Sequence, residues 1–127
     1  MDKTVFLCHP VCTTCDKARK WLVEQGIEYE ERDIRMPNPT VQELRTWLVG
    51  SGLPVKRFFN TSGLLYRSLG LSEKLAGMSV EEQIDQLAAD GMLVKRPIVL
   101  LNNGHVLVGF KETEWASAFQ NLIMLTE

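Results

Sequence analysis

Three cysteines, Cys8, Cys12 and Cys15, lie within eight positions of one another. They are the only cysteines in 127 residues, and such an odd, clustered set does not resemble the disulfide framework of a small secreted domain. Cys12 and Cys15 form a C-x-x-C pair, which in proteins of reducing compartments is typical of thiol–disulfide exchange. We therefore predict that Cys12 and Cys15 are a reactive pair.

The flanking residues predict that Cys12 lies between a strand and a helix. Residues 4–7, with the apolar run Val5-Phe6-Leu7, are typical of a short buried strand, and good helix formers follow from about Thr13. Unpaired N–H groups at the start of a helix stabilise a thiolate and lower the pKa of a cysteine. Cys12 is therefore predicted to be the attacking nucleophile. Cys15, about one turn further on, is predicted to resolve the mixed disulfide.

Other interpretations of the cysteines stay open. A zinc site is one, with Cys8 and His9 completing four ligands, although no second C-x-x-C follows downstream. The C-x3-C-x2-C spacing is also similar to the cluster-binding motif of radical SAM enzymes, whose barrel needs a much longer chain. A third alternative is that all three thiols are small buried hydrophobes. Cys8 is predicted to be a buried strand residue, with an auxiliary redox role as the alternative, and His9 a loop residue.

The elements that follow the cysteines predict a β-α-β unit. The helix is expected to stop at Gly26, and residues 27–34 alternate between inward and outward positions as a strand does. Because the crossover between the two strands is a single helix, we expect them to be parallel neighbours.

A helical insertion is predicted at about residues 40–92. Two of its helices begin at capping boxes, in which Thr or Ser is followed three residues later by Glu: Thr40 with Glu43, and Ser79 with Glu82. Three residues are expected to end the first of these helices: Gly50, Gly52 and Pro54.

The last third of the chain predicts a hairpin and a helix. Residues 98–101 and 106–108 are apolar runs on either side of Asn102-Asn103-Gly104, a strong hairpin turn, and a helix is predicted at about residues 114–125. The order β-α-β, helical insertion, β-β-α predicts an α/β, thioredoxin-like fold of the glutaredoxin type, with the insertion between strands 2 and 3. We predict that residues 1–127 form one such domain.

Arg96-Pro97 is a second feature with chemical meaning. Proline cannot donate to a sheet, so at the start of a strand it marks an edge or a special geometry. In thioredoxin-like folds the proline before the third strand is cis and faces the active-site cysteines, so Pro97 is predicted to be cis and Arg96 to lie beside Cys12. A guanidinium there would lower the thiol pKa and hold an anion. The alternative is an arginine that meets only solvent or a surface carboxylate.

Charge and hydropathy exclude several classes of protein. With 14 Lys and Arg against 16 Asp and Glu, the net charge of −2 gives no overall attraction to nucleic acid or anionic membranes. The apolar run at residues 5–7 is too short for a signal-peptide core, and no stretch approaches the roughly 20 apolar residues that span a bilayer. We expect a cytoplasmic protein that binds neither nucleic acid directly nor a membrane.

Several segments resemble the arsenate reductase (ArsC)/Spx family, and the resemblance covers essentially the whole chain. Residues 11–22 (VCTTCDKARKWL) are similar to its active-site segment, and residues 95–98 (KRPI) with 108–110 (VGF) to its C-terminal signature. Residues 58–63 (FFNTSG) and 90–93 (DGML) resemble a bacterial ArsC-like branch. The resemblance implies Cys12, Cys15 and Arg96 as catalytic residues, with Pro97, Thr13 and Asn60 supporting them.

This chain departs from the arsenate-binding pattern at two positions. In glutaredoxin-coupled arsenate reductases three arginines hold the oxyanion; one corresponds to Arg96, but the others correspond to Asn60 and Gly109. Arg57 and Lys111 are nearby cations that could compensate. Those reductases typically lack a second cysteine three residues on, whereas this chain has Cys15.

The resemblance implies two functions of different classes. The first is a thiol–disulfide oxidoreductase, arsenate reductase-like, that uses glutathione, a dithiol, or a glutaredoxin- or thioredoxin-type donor. The second is an Spx-like redox-sensing regulator that binds RNA polymerase through a Cys12–Cys15 disulfide switch. An inactive relative with a structural C-x-x-C is a third alternative. No metal or organic cofactor is expected, because the sulfur chemistry is self-contained.

Overall fold

A four-stranded mixed sheet is the centre of the fold in the computed structural model, which describes residues 4–126 and the side chains of residues 4–121. The strands are β1 (Thr4–Cys8), β2 (Tyr29–Asp33), β3 (Ile98–Leu100) and β4 (Val106–Val108). β1 pairs in parallel with β2 and antiparallel with β3, which in turn pairs antiparallel with β4. The strand order is therefore β2-β1-β3-β4.

Six helices surround this sheet within the described residues. They are α1 (Thr13–Glu24), α2 (Val41–Ser51), α3 (Leu64–Ser68), α4 (Leu71–Lys74), α5 (Val80–Ala89) and α6 (Glu112–Thr126). Short 3₁₀ turns occur at Val55–Phe58, Leu75–Gly77 and Gly91–Leu93. None of these helices has the length and apolar composition needed to cross a bilayer. The order confirms the predicted thioredoxin-like plan with its helical insertion.

Both predicted capping boxes are present. The Thr40 hydroxyl accepts from the Glu43 N–H at 3.0 Å, and the Glu43 carboxylate accepts from the Thr40 N–H. Ser79 and Glu82 make the same reciprocal pair at the start of α5. Each box satisfies backbone donors that the first turn of a helix otherwise leaves unpaired.

The prediction that Gly50 ends α2 is wrong. The helix runs through Gly50 to Ser51 and is capped by Gly52, which has a left-handed backbone with φ of 66°. Gly50 lies where α2 contacts the β3–β4 hairpin, and a Cβ there would overlap the Gly104 carbonyl oxygen. The residue is therefore glycine because of a close approach between two elements.

The sheet separates two hydrophobic clusters. On one face the insertion helices pack in a cluster that includes Leu7, Leu44 and Ile84. On the other face α1 and α6 pack in a second cluster. Its members include Phe6, Cys8, Cys15, Leu22 and Trp115. Successive residues of a strand point to opposite faces, so Phe6 and Cys8 lie in one cluster and Leu7 in the other.

Candidate active site

Cys12 lies at the start of α1, immediately after the turn that leaves β1. It is the N-cap residue, with an extended backbone. Its Sγ accepts a hydrogen bond from the Cys15 N–H at 3.4 Å, and its carbonyl accepts from the Asp16 N–H at 3.0 Å. The sulfur thus occupies the position that a Ser or Asp oxygen takes in an ordinary N-cap, where an acceptor satisfies the free donors of the first turn.

The environment of Cys12 favours its thiolate. Partial burial opposes ionisation, but the Cys15 backbone N–H, the Cys15 thiol and the Arg96 guanidinium all stabilise the negative sulfur, and the pKa of Cys12 is lowered. Cys12 is half-buried, so it is also open to a substrate. A lowered pKa and partial exposure are the two properties that distinguish reactive cysteines from structural ones.

Arg96 approaches Cys12 from two residues before β3. The Arg96–Pro97 peptide bond is cis, as predicted, and the Pro97 carbonyl accepts from the Gly109 N–H at 2.8 Å. One guanidinium nitrogen of Arg96, Nη1, is buried and has no hydrogen-bond partner among the described residues. A buried, unsatisfied donor is costly, which makes this nitrogen a natural contact for an anionic ligand.

Cys12 and Arg96 line one cleft of about 630 Å³. Five of its sixteen lining residues are cationic: Lys56, Arg57, Lys95, Arg96 and Lys111. No Asp or Glu lines the cleft. Among the described residues, only Lys111 of these five cations forms a salt bridge, in which its Nζ lies 3.9 Å from Glu114 Oε2. The cleft therefore presents uncompensated positive charge beside the reactive sulfur, and it suits an anion.

The other residues singled out from the sequence fall in different places. Asn60 and Gly109, the two positions that the resemblance predicts to replace arginines, both line the cleft. Thr13 is exposed in the first turn of α1 and does not line the cleft, whereas Thr14 does. Lys56 and Lys95 also line the cleft, and neither was identified from the sequence as a site residue.

Cys15 lies directly beneath Cys12. Its side chain is fully buried. The neighbouring Cys8 thiol is the larger cause of its raised pKa, and burial is the second. All three cysteines are free thiols. The arrangement pairs an open sulfur that ionises readily with a buried sulfur that keeps its proton, which is the asymmetry expected of an attacking and a resolving thiol.

Cys8 is held in a polar network that the sequence interpretation missed. Its Sγ donates to Glu31 Oε2 at 3.2 Å and accepts from Arg19 Nη2 at 3.2 Å. Arg19 also forms a paired contact with the Glu31 carboxylate, at 3.0 and 3.1 Å. One feature of the sequence could have indicated this network: Arg19 follows Cys15 by one helical turn, so both lie on the same face of α1.

His9 is a loop residue, as predicted, and its Nδ1 accepts from the Val11 N–H at 3.0 Å. Within residues 4–121, no three His, Cys, Asp or Glu side chains lie in an arrangement that could hold a metal ion. A second concavity, of about 540 Å³, lies between β4 and α6, and no cysteine lines it.

Comparison with known proteins places this geometry in a family. The sequence model of the ArsC family matches residues 7–118. An ArsC family related protein from Bacteroides fragilis, of known crystal structure, is 57% identical and superposes with a TM-score of 0.87, over 91% of this chain and 96% of that one.

Two curated relatives extend the comparison. The uncharacterized protein YusI of Bacillus subtilis is 49% identical over 87% of this chain and 92% of its own length. The global transcriptional regulator Spx of Streptococcus pyogenes is 29% identical over 87% of this chain and 80% of its own length. The similarity thus extends to a protein named as a regulator.

Proposed function

The chain belongs to the ArsC family, and on that basis we propose that it is a thiol–disulfide oxidoreductase in which Cys12 attacks and Cys15 resolves. The observation that carries the proposal is the position of Cys12. The sulfur caps α1, lies beside Arg96 and opens onto a cationic cleft, while the Cys15 thiol is buried immediately behind it. Arg96 acts in this proposal by stabilising the thiolate and holding an anionic group.

The first step is attack of the Cys12 thiolate on a sulfur of a mixed disulfide. A Cys12–S–S bond forms, the substrate S–S bond breaks, and one thiolate leaves. Cys15 then attacks the Cys12 sulfur, which forms the Cys12–Cys15 disulfide and expels the second thiol, to which the Cys15 proton passes. Two external thiols, which become a disulfide, return both cysteines to the reduced state.

The charge of the cleft supports an anionic substrate or donor. Glutathione carries two carboxylates, and the five cations that line the cleft would attract them. Arsenate is a poorer fit, because Asn60 and Gly109 replace two of the arginines that the family's arsenate reductases use to hold the oxyanion. We therefore propose glutathione mixed disulfides as the first substrate class to test, with arsenate as a comparison.

The test follows turnover of a glutathione mixed disulfide in a coupled assay that consumes NADPH through glutathione reductase. We expect Cys12→Ser to abolish turnover and Cys15→Ser to accumulate a glutathione adduct on Cys12, visible by intact mass. Lys74→Gln, on an exposed cation of α4 that does not line the cleft, is the matched control for charge and should leave the rate unchanged. Equal turnover by the wild type and Cys12→Ser refutes the proposal.

A redox-sensing regulator is the second candidate, because Spx is among the relatives. In that case the Cys12–Cys15 disulfide forms once and alters a binding surface, with RNA polymerase as the partner to test. The distinguishing experiment measures polymerase binding by the reduced and the oxidised protein. Binding that depends on oxidation, together with no turnover of any disulfide, would favour the regulator over the oxidoreductase.

A further inference from the structure

Cys8 is the one cysteine to which the proposed oxidoreductase assigns no role. It ends β1, is 1% exposed, and packs in the same hydrophobic cluster as Cys15. A small buried thiol needs no polar partners. Cys8 nevertheless has two charged ones, the Arg19 guanidinium and the Glu31 carboxylate, each 3.2 Å from its sulfur.

The three thiols form a continuous series from the cleft to the interior. Cys12 is open to the cleft, the Cys15 N–H donates to the Cys12 sulfur, and Cys8 is buried with Cys15 in the same hydrophobic cluster. Cys15 therefore lies between the other two cysteines in this series. Cys15 can thus form a disulfide either with Cys12 or with Cys8.

We propose that Cys8 is a third redox thiol, which takes the disulfide from Cys12 by exchange at Cys15. This inference rests on the proposed function, since the Cys12–Cys15 disulfide must form first. In the exchange the Cys8 sulfur attacks the Cys15 sulfur, the Cys8–Cys15 bond forms, the Cys12–Cys15 bond breaks, and Cys12 leaves as a thiolate. No net oxidation occurs. The Cys8 proton passes to the Glu31 carboxylate that already accepts it, and from there to solvent.

The charges around the three sulfurs set the direction of the exchange. Cys12 is the best leaving group, because its thiolate is stabilised by the start of α1 and by Arg96. Cys8 is suited to attack in this disulfide state, since the Arg19 guanidinium lies 3.2 Å from its sulfur and the Glu31 carboxylate accepts its proton. Both effects favour a buried Cys8–Cys15 disulfide and a free Cys12.

The result of the exchange is an oxidised protein whose nucleophile is reactive again. The disulfide is then enclosed between β1 and α1, where both sulfurs are shielded from external thiols. Cys12 can attack a second disulfide and hold it as an adduct, although Cys15 no longer resolves it. The oxidised chain would thus capture a thiol compound instead of releasing it.

The experiment reads which cysteine remains free after oxidation. The full chain is oxidised with diamide, the monomer is isolated on a non-reducing gel, and its free thiols are blocked with N-ethylmaleimide in mildly acidic denaturant. The disulfide is then reduced and labelled with iodoacetamide. Trypsin cleaves after Lys3 and Lys17, so one peptide, residues 4–17, carries all three cysteines, and its fragment ions assign the two labels.

We expect the maleimide label on Cys12 in the wild type, and its loss from Cys12 in Cys8→Ser, where only the Cys12–Cys15 disulfide can form. Maleimide on Cys8 or on Cys15 of the oxidised wild type overturns the relay but leaves the Cys12–Cys15 chemistry to be judged by turnover. Maleimide on every cysteine of both proteins, three in the wild type and two in Cys8→Ser, overturns the relay and the proposed function together. If Cys8→Ser does not fold, the position of the label in the wild type alone decides.

A second readout tests the proton acceptor without relying on a cysteine variant. Glu31→Gln removes the carboxylate that accepts from Cys8, and we expect slower appearance of free Cys12 after oxidation. Glu30→Gln is the matched control, since Glu30 is an exposed neighbour in β2 whose side chain makes no contact with Cys8 among the described hydrogen bonds. Equal rates in the two variants exclude Glu31 as the acceptor.

Discussion

Trp115 connects the core of the α1–α6 face to the wall of the cleft. Its side chain is fully buried, and the indole Nε1–H donates to the Gly109 carbonyl at 3.0 Å. Gly109 lines the cleft and donates its own N–H to Pro97. The substitution Trp115→Phe keeps an aromatic ring in the site but removes this donor, so it tests how much the bond contributes to folding.

The expected cost has two parts. Phenylalanine lacks about three of the buried ring atoms, which at about 0.8 kcal/mol for each methylene-sized group amounts to roughly 2 kcal/mol. The Gly109 carbonyl loses its partner in a buried position, which adds roughly 1–3 kcal/mol. We therefore expect Trp115→Phe to lower the free energy of unfolding by about 3–5 kcal/mol and Tm by roughly 12–20 °C.

The matched control is Trp21→Phe. Trp21 is 6% exposed, belongs to the same cluster and packs 5.8 Å from the Trp115 ring, but its indole donates to no group among the described residues. It should lose only the packing contribution, about 2 kcal/mol. Denaturant unfolding followed by far-UV circular dichroism measures both. Equal losses for the two variants would show that the Trp115–Gly109 hydrogen bond contributes nothing.

Three further predictions concern the site and its support. Arg96→Gln removes the guanidinium beside Cys12, so the Cys12 pKa should rise. The midpoint of the alkylation rate against pH should then move to higher pH, and the alkylation rate at neutral pH should fall. Lys74→Gln should leave both the midpoint and the rate unchanged. Asn60→Arg adds a cation to the cleft, so phosphate or arsenate should protect Cys12 from alkylation at lower concentration than in the wild type. Thr40→Ala breaks a capping box and should cost about 1 kcal/mol in denaturant unfolding, with Thr46→Ala in the same helix as the control.

Much of the fold was predictable because its signals are local. The capping boxes at Thr40 and Ser79, the Asn102–Gly104 turn and the two-residue period of β2 each depend on a few adjacent residues. Gly50 was misinterpreted because glycine in a sequence commonly signals the end of a helix. Its actual cause is the close approach of the β3–β4 hairpin, which is distant in sequence and leaves no room for a Cβ. The starts of β2 and α6 also differ by two residues from those predicted, and their ends by one, since strand and helix ends depend on pairing and packing.

The candidate site was predictable only in part. Cys12 and Cys15 have a recognisable spacing, and Arg96-Pro97 has meaning because the fold brings the start of β3 to the start of α1. The cationic wall has no such pattern: Lys56, in the insertion, and Lys95, next to Arg96, are far apart in sequence and line the same cleft only in the folded chain. The Cys8–Arg19–Glu31 network likewise joins β1, α1 and β2, and no short segment records its geometry.

The two sides of the cleft come from separately packed parts of the molecule. The sulfurs belong to the cluster beneath α1 and α6, whereas residues 54–63, which supply half of the lining, belong to the insertion on the other face. Reactivity and recognition can therefore diverge independently in evolution. Exchanging residues 54–63 between homologues is accordingly the rational route to a new ligand preference, because the donor segment carries its own packing residues, Val55, Phe58 and Phe59, with it.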